Sequence, residues 1–145
     1  MRLRALIIFV LVCAGGFFPS PDILAQTEGK ETKETAAAKL TLGRAVLCEE
    51  IFANAPRNQT VVFSVAKERA VCFTAFDTVP KKMFIYHNWF YRDIPSARIR
   101  LVLRPPSWST YSSIQIRKTD IRPWRVEITD AQGNILHVLR FSITD

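Results

Sequence analysis

His87, Trp89 and Tyr91 stand two residues apart in the run Met83-Phe84-Ile85-Tyr86-His87-Asn88-Trp89-Phe90-Tyr91. On an extended chain alternate residues share a face, so these three line up with Met83 and Ile85. An imidazole among aromatic rings can serve as a platform with a polar handle, suited to a sugar ring or another flat ligand. The same pattern describes the core tryptophan of a β-sandwich with a histidine hydrogen-bonded beside it. Ser109, Thr110 and Ser112 are the hydroxyls able to partner that histidine. A second candidate is Trp108-Ser109-Thr110-Tyr111-Ser112-Ser113, which follows Pro105-Pro106. Hydroxyls beside two aromatics can line a groove for a polyhydroxylated polymer. They can equally form a strand edge whose Ser and Thr satisfy backbone groups. The third candidate is basic: Arg98, Arg100, Arg104, Arg117 and Arg125 all fall on predicted outward strand positions. Guanidinium groups grip phosphate and carboxylate through paired hydrogen bonds. The bland alternative is a solvated face paired with Glu68, Asp120 and Glu127.

Catalysis finds no carrier. The two histidines, His87 and His137, are far apart in sequence, and a metal site wants three or four converging ligands. His87 with a serine and Asp77 names the parts of a triad, but no nucleophile elbow or Gly-rich oxyanion loop accompanies them. Glu49 and Glu50 are adjacent, so on a strand they face opposite ways and cannot act as a carboxylate pair. The expectation is a non-enzyme with no metal and no cofactor; a hydrolase using His87 is the alternative.

The elements that must position these groups are strands. Beyond Gly43, β-branched and aromatic runs alternate with turn residues every eight to twelve positions, the all-β signal. The pattern predicts strands at 44–52, 60–65, 69–76, 83–92, 97–104, 111–117, 124–129 and 135–144. Ala97, Ile99, Leu101 and Leu103 oppose Arg98, Arg100, Val102 and Arg104; Trp124, Val126 and Ile128 oppose Arg125, Glu127 and Thr129. One apolar face per strand implies two sheets packed face to face. The expected fold is therefore an antiparallel, immunoglobulin-like β-sandwich of seven to eight strands over residues 43–145, with a closed barrel as the alternative. The final strand is apolar on both faces, which suits an interior position.

Ahead of that domain, Met1 to Ala25 carries two arginines and then an apolar run from Ala5 to Phe18, ended by Pro19 and Pro21. This fits a secretory signal peptide cleaved near Ala25; an uncleaved anchor is the rival, although a spanning helix needs about 20 apolar residues and the prolines end this run early. Residues 26–42 alternate in charge and lack aromatics, as a flexible linker does. Export predicts a periplasmic or secreted protein that meets the membrane only through the transient signal. The remaining pair, Cys48 and Cys72, then predicts a disulfide, worth roughly 3.5 kcal/mol for a loop of about 25 residues. Two buried free thiols are the alternative.

The chain carries 20 Lys+Arg against 13 Asp+Glu, for a charge of +7, with 48% hydrophobic residues. That hydrophobicity excludes most classes of intrinsic disorder, and five Gly with eight Pro exclude collagen-like repeats. From residue 40 onward there are 15 basic and 9 acidic residues, so the excess belongs to the folded domain. No nucleic-acid motif is present.

Three blocks carry a resemblance: Ile85-Tyr86-His87-Asn88-Trp89-Phe90-Tyr91; Trp108-Ser109-Thr110-Tyr111-Ser112 after Leu101-Val102-Leu103; and Pro123-Trp124-Arg125-Val126-Glu127 with Gly133 and Leu139-Arg140-Phe141. In that order they resemble the bacterial domain-of-unknown-function family 2914, over roughly residues 44–145. Arg122 departs from the family, which commonly has Gly there. The resemblance implies a small β-rich domain of the bacterial cell envelope and no known activity. Together these features suggest a non-catalytic binding module for an envelope polysaccharide or an acidic protein surface. A structural domain packing on a protein partner through its aromatics is the rival, and nucleic acid is not an expected partner.

Overall fold

The computed structural model describes residues 37–145. The expected signal peptide, and the linker up to residue 36, lie outside the described residues. Nine strands follow: β1 (Thr41–Phe52), β2 (Ala55–Gln59), β3 (Val62–Ser64), β4 (Arg69–Thr78), β5 (Met83–Tyr91), β6 (Ile94–Leu103), β7 (Trp108–Gln115), β8 (Pro123–Thr129) and β9 (Ile135–Thr144). They form two sheets, of order β2-β1-β4-β7 and β3-β9-β8-β5-β6, packed as a sandwich. Between them lie Leu47, Phe63, Cys72, Phe76, Ile85, Trp89, Leu103, Trp124, Val126, Ile128, Phe141 and Ile143. The faces follow the alternation: Leu103 is buried while Arg98, Arg100, Val102 and Arg104 are exposed.

The strand layout departs from the sequence expectation in two features. Ala55–Gln59 pairs with β1 as a ninth strand, although its Pro and Asn mark it as a turn. Proline is tolerated there because β2 is an edge strand, where a missing N–H costs no ladder bond. The turn shrinks to Ala53 and Asn54, both at positive φ (48° and 59°), the conformation of a tight two-residue hairpin. The sandwich is also not purely antiparallel, since the short β3 runs parallel to β9. That pairing makes β9 an interior strand of its sheet, between β3 and β8.

The expected disulfide is not formed. Cys48 lies opposite Val71, and Cys72 lies opposite Leu47. Directly opposed residues share a face, so the two thiols project from opposite faces of the sheet. Cys72 points into the main core, whereas Cys48 joins Val71 and Phe73 in a second cluster on the outer face. Both are free and buried, and burial raises the pKa of each thiol. The two cysteines stand on adjacent strands and miss each other by one residue of register.

Candidate ligand-binding surface

The inward face of β5 seals the first candidate inside the core. His87 and Trp89 are both 0% exposed. Tyr91 is half-buried, its ring 5.2 Å from that of Trp124. Trp89 is thus the core tryptophan and the proposed platform offers no surface to a ligand. His87 Nδ1 lies 2.8 Å from Ser112 Oγ, and Nε2 lies 3.4 Å from Thr74 Oγ1. Thr74 donates to the Thr110 carbonyl, so it must accept from His87 Nε2–H. Nδ1 then accepts the Ser112 hydroxyl proton, while Ser112 Oγ accepts from Trp89 Nε1–H at 3.1 Å. Every group in the chain has a partner. Desolvation lowers the His87 pKa to about 4, so the ring is neutral at pH 7. His87 and Ser112 have the atoms of a base and a nucleophile, but Ser112 is only 5% exposed and spends its hydroxyl on the ring and the indole.

The outward face of the same strand carries what the inward face lacks. Phe84, Tyr86 and Phe90 point away from the core, beside the outward residues of β6. Tyr86 lies opposite Arg100, and Asn88 opposite Arg98. Each arginine reaches diagonally to the next ring: the Arg98 guanidinium carbon is 3.8 Å from the Tyr86 centroid, and that of Arg100 is 4.0 Å from Phe84. Beyond Val102, Arg104 lies 5.6 Å over Trp108. Each such stack is worth about 0.5–1 kcal/mol at an exposed site, enough to bias a long side chain toward one orientation. Arg98 and Arg100, at successive outward positions of an edge strand, and Arg104, just past its end, therefore form one track interrupted by Val102. Among the described residues, no carboxylate forms a salt bridge with any of them.

The other two predicted arginines drop out. Arg125 sits over Phe90 at 4.1 Å, but it bonds Glu127 Oε1 at 2.8 Å and pairs with Asp93. Those bonds, to Glu127 above all, raise its pKa further and occupy its Nε and Nη1 donors. Arg117 lies past the end of β7, where its guanidinium approaches Gln115. The expected five-arginine patch is a three-arginine track. Phe84, Tyr86 and Phe90 were not among the sequence candidates. The period-2 alternation that aligned His87 with Trp89 also aligned these three on the opposite face, beside Arg98 and Arg100.

At the end of the track, β7 divides its side chains. Ser112 turns inward, whereas Ser109 and Tyr111 turn outward with Ala75 and Phe73. Trp108 is 36% and Tyr111 49% exposed. Trp108 and Ser109 are shared by two shallow grooves. One, of about 320 Å³, includes Val102, Arg104, Thr110 and Tyr111. The other, of about 560 Å³, includes Asn54, Asp77, Ser107 and Ser109. The hairpin tip at Asn54 reaches both grooves. Gly43 makes room for Asp77, because a Cβ at that position would collide with its carboxylate.

Residues 82–143 match the family described as Protein of unknown function (DUF2914). The resemblance carried by the three sequence blocks is therefore borne out, over a shorter span than 44–145. The DUF2914 match begins just before β5 and ends one residue before the end of β9. It contains the whole arginine track and Trp108, but not Asn54 or Asp77. Comparison with curated proteins gave no match.

Proposed function

We propose that this protein is an exported, non-catalytic binding module of the bacterial cell envelope whose β6 track recognises an extended anionic polymer, with an envelope polysaccharide as the preferred ligand. One observation carries this reading: Arg98, Arg100 and Arg104 stand in line, each over an aromatic ring, with no carboxylate of the described residues neutralising them. Positive charge pre-oriented in this way favours polyanions, because little side-chain freedom is lost on binding. Trp108 and Tyr111 at the end of the track add aromatic surface suited to sugar rings. The positive charge of the domain draws such a ligand in.

Co-sedimentation with peptidoglycan and with lipopolysaccharide, at low and high salt, tests the proposal. Retention should fall at high salt, and Arg98→Ala with Arg100→Ala should weaken it about tenfold at low salt. Retention that ignores salt and survives the double substitution would overturn it. A stable dimer with Trp108 shielded from quenchers would favour docking on a protein instead.

A further inference from the structure

We propose that the ligand is a phosphate-bearing glycan, its phosphate gripped between Arg98 and Arg100 and a neutral sugar ring laid against Trp108. This rests on the anionic-polymer reading above and names the chemistry of each end of the site.

Arg98 and Arg100 are two residues apart on one face of β6, about 7 Å along the strand. Each guanidinium has one face covered by a ring, at 3.8 and 4.0 Å, and keeps its N–H edge for a ligand. A carboxylate offers two coplanar oxygens and matches a single guanidinium fork. A phosphate ester offers three acceptor oxygens about a tetrahedral centre and up to two charges, so it can accept from both arginines together.

The far end has the opposite preference. The groove of about 560 Å³ beside Trp108 is within the size range of small-ligand sites. Its polar lining includes the Asn54 amide, the Ser107 and Ser109 hydroxyls and the Asp77 carboxylate. These groups exchange hydrogen bonds with sugar hydroxyls. Asp77 repels a phosphate or uronate there, so charge is sorted to the arginines and an uncharged ring to the groove. Arg104 lines the neighbouring groove and marks the passage between the two.

Trp89 and Trp124 are buried (0% and 6% exposed), so acrylamide quenching of the native protein reports on Trp108. The full chain would be titrated with phosphorylated maltoheptaose, plain maltoheptaose, an oligogalacturonate of equal length and inorganic phosphate, followed by quenching and calorimetry. The phosphorylated sugar should bind about tenfold more tightly than the oligogalacturonate and should shield Trp108. Arg98→Lys with Arg100→Lys keeps the charge but loses the forks, and should abolish that preference. Trp108→Ala should weaken the phosphorylated sugar about tenfold and leave inorganic phosphate unchanged. Equal affinity for the phosphorylated sugar and the oligogalacturonate would overturn the phosphate grip while leaving the anionic-polymer reading intact. Unshielded Trp108, with inorganic phosphate binding as well as the phosphorylated sugar, would overturn the sugar end. Binding of no anionic oligomer, together with salt-insensitive sedimentation, would sink both readings.

Discussion

The His87 imidazole and the Ser112 hydroxyl are a buried pair with no slack. Ser112 serves both His87 Nδ1 and Trp89 Nε1, so Ser112→Ala strands two polar atoms in the core. The expected loss is about 2–3 kcal/mol, read from urea unfolding at neutral pH. His87 should also impose a pH dependence. Its folded pKa is about 4 and its ordinary value 6.5, so between them the unfolded chain binds a proton that the folded chain refuses. Stability is therefore full above the ordinary value and falls as pH drops from about 6.5 toward about 4, by roughly 3 kcal/mol in all. Unfolding curves from pH 8 to 4.5 should show this slope, and His87→Gln should flatten it. An unchanged slope in the variant would place the titration elsewhere. The sequence already named Ser112 among the possible partners of His87. It could not show that both are sealed from water, because an inward face is known only once a second sheet covers it.

At the scale of strands, two consequences follow from register and turn geometry. Ala53 holds φ of 48° at the β1–β2 turn, a conformation that costs a residue bearing Cβ about 1–2 kcal/mol. Ala53→Gly should recover roughly 1 kcal/mol, less its greater unfolded-state entropy, measured as a raised urea midpoint. The pairing of β1 with β4 makes a second prediction. Alkylation in denaturant without reductant, followed by mass spectrometry, should find Cys48 and Cys72 both modified. A disulfide-linked peptide would show that this register is wrong. Most strands were legible because half-buried strands alternate strictly, as β6 and β8 do. β2 was not, since Ala-Pro-Arg-Asn-Gln has turn composition and becomes a strand only because β1 offers it an edge. Register was illegible for a similar reason, since it depends on the length of the β1–β4 connection and on bulges such as those near Leu42.

For the whole molecule, binding and stability should separate. Arg98 and Arg100 are exposed on an edge strand, and their guanidinium groups stack on Tyr86 and Phe84. Their double replacement by alanine should change unfolding free energy by about 1–2 kcal/mol at most. The same protein should lose most of the salt-dependent part of its polymer retention. Thermal unfolding beside co-sedimentation at two salt concentrations measures both quantities on one sample. A variant that loses both together would make the track a structural element.

By itself the sequence determined the fold class, the inward and outward sets of most strands and the excess positive charge of the domain. Each depends on local periodicity or on counting, and neither needs a partner strand. It also placed Arg98 and Arg100 on an outward face, whereas the exposure of Trp108 came from the structure. Tertiary structure alone decided which arginines remain available, because Arg125 meets Asp93 only across the sheet. It decided that His87 and Trp89 are core, and that Phe84 and Tyr86 underlie the arginines. It decided against the disulfide, because a one-residue difference in register sends two cysteines to opposite faces while leaving their spacing in the chain unchanged.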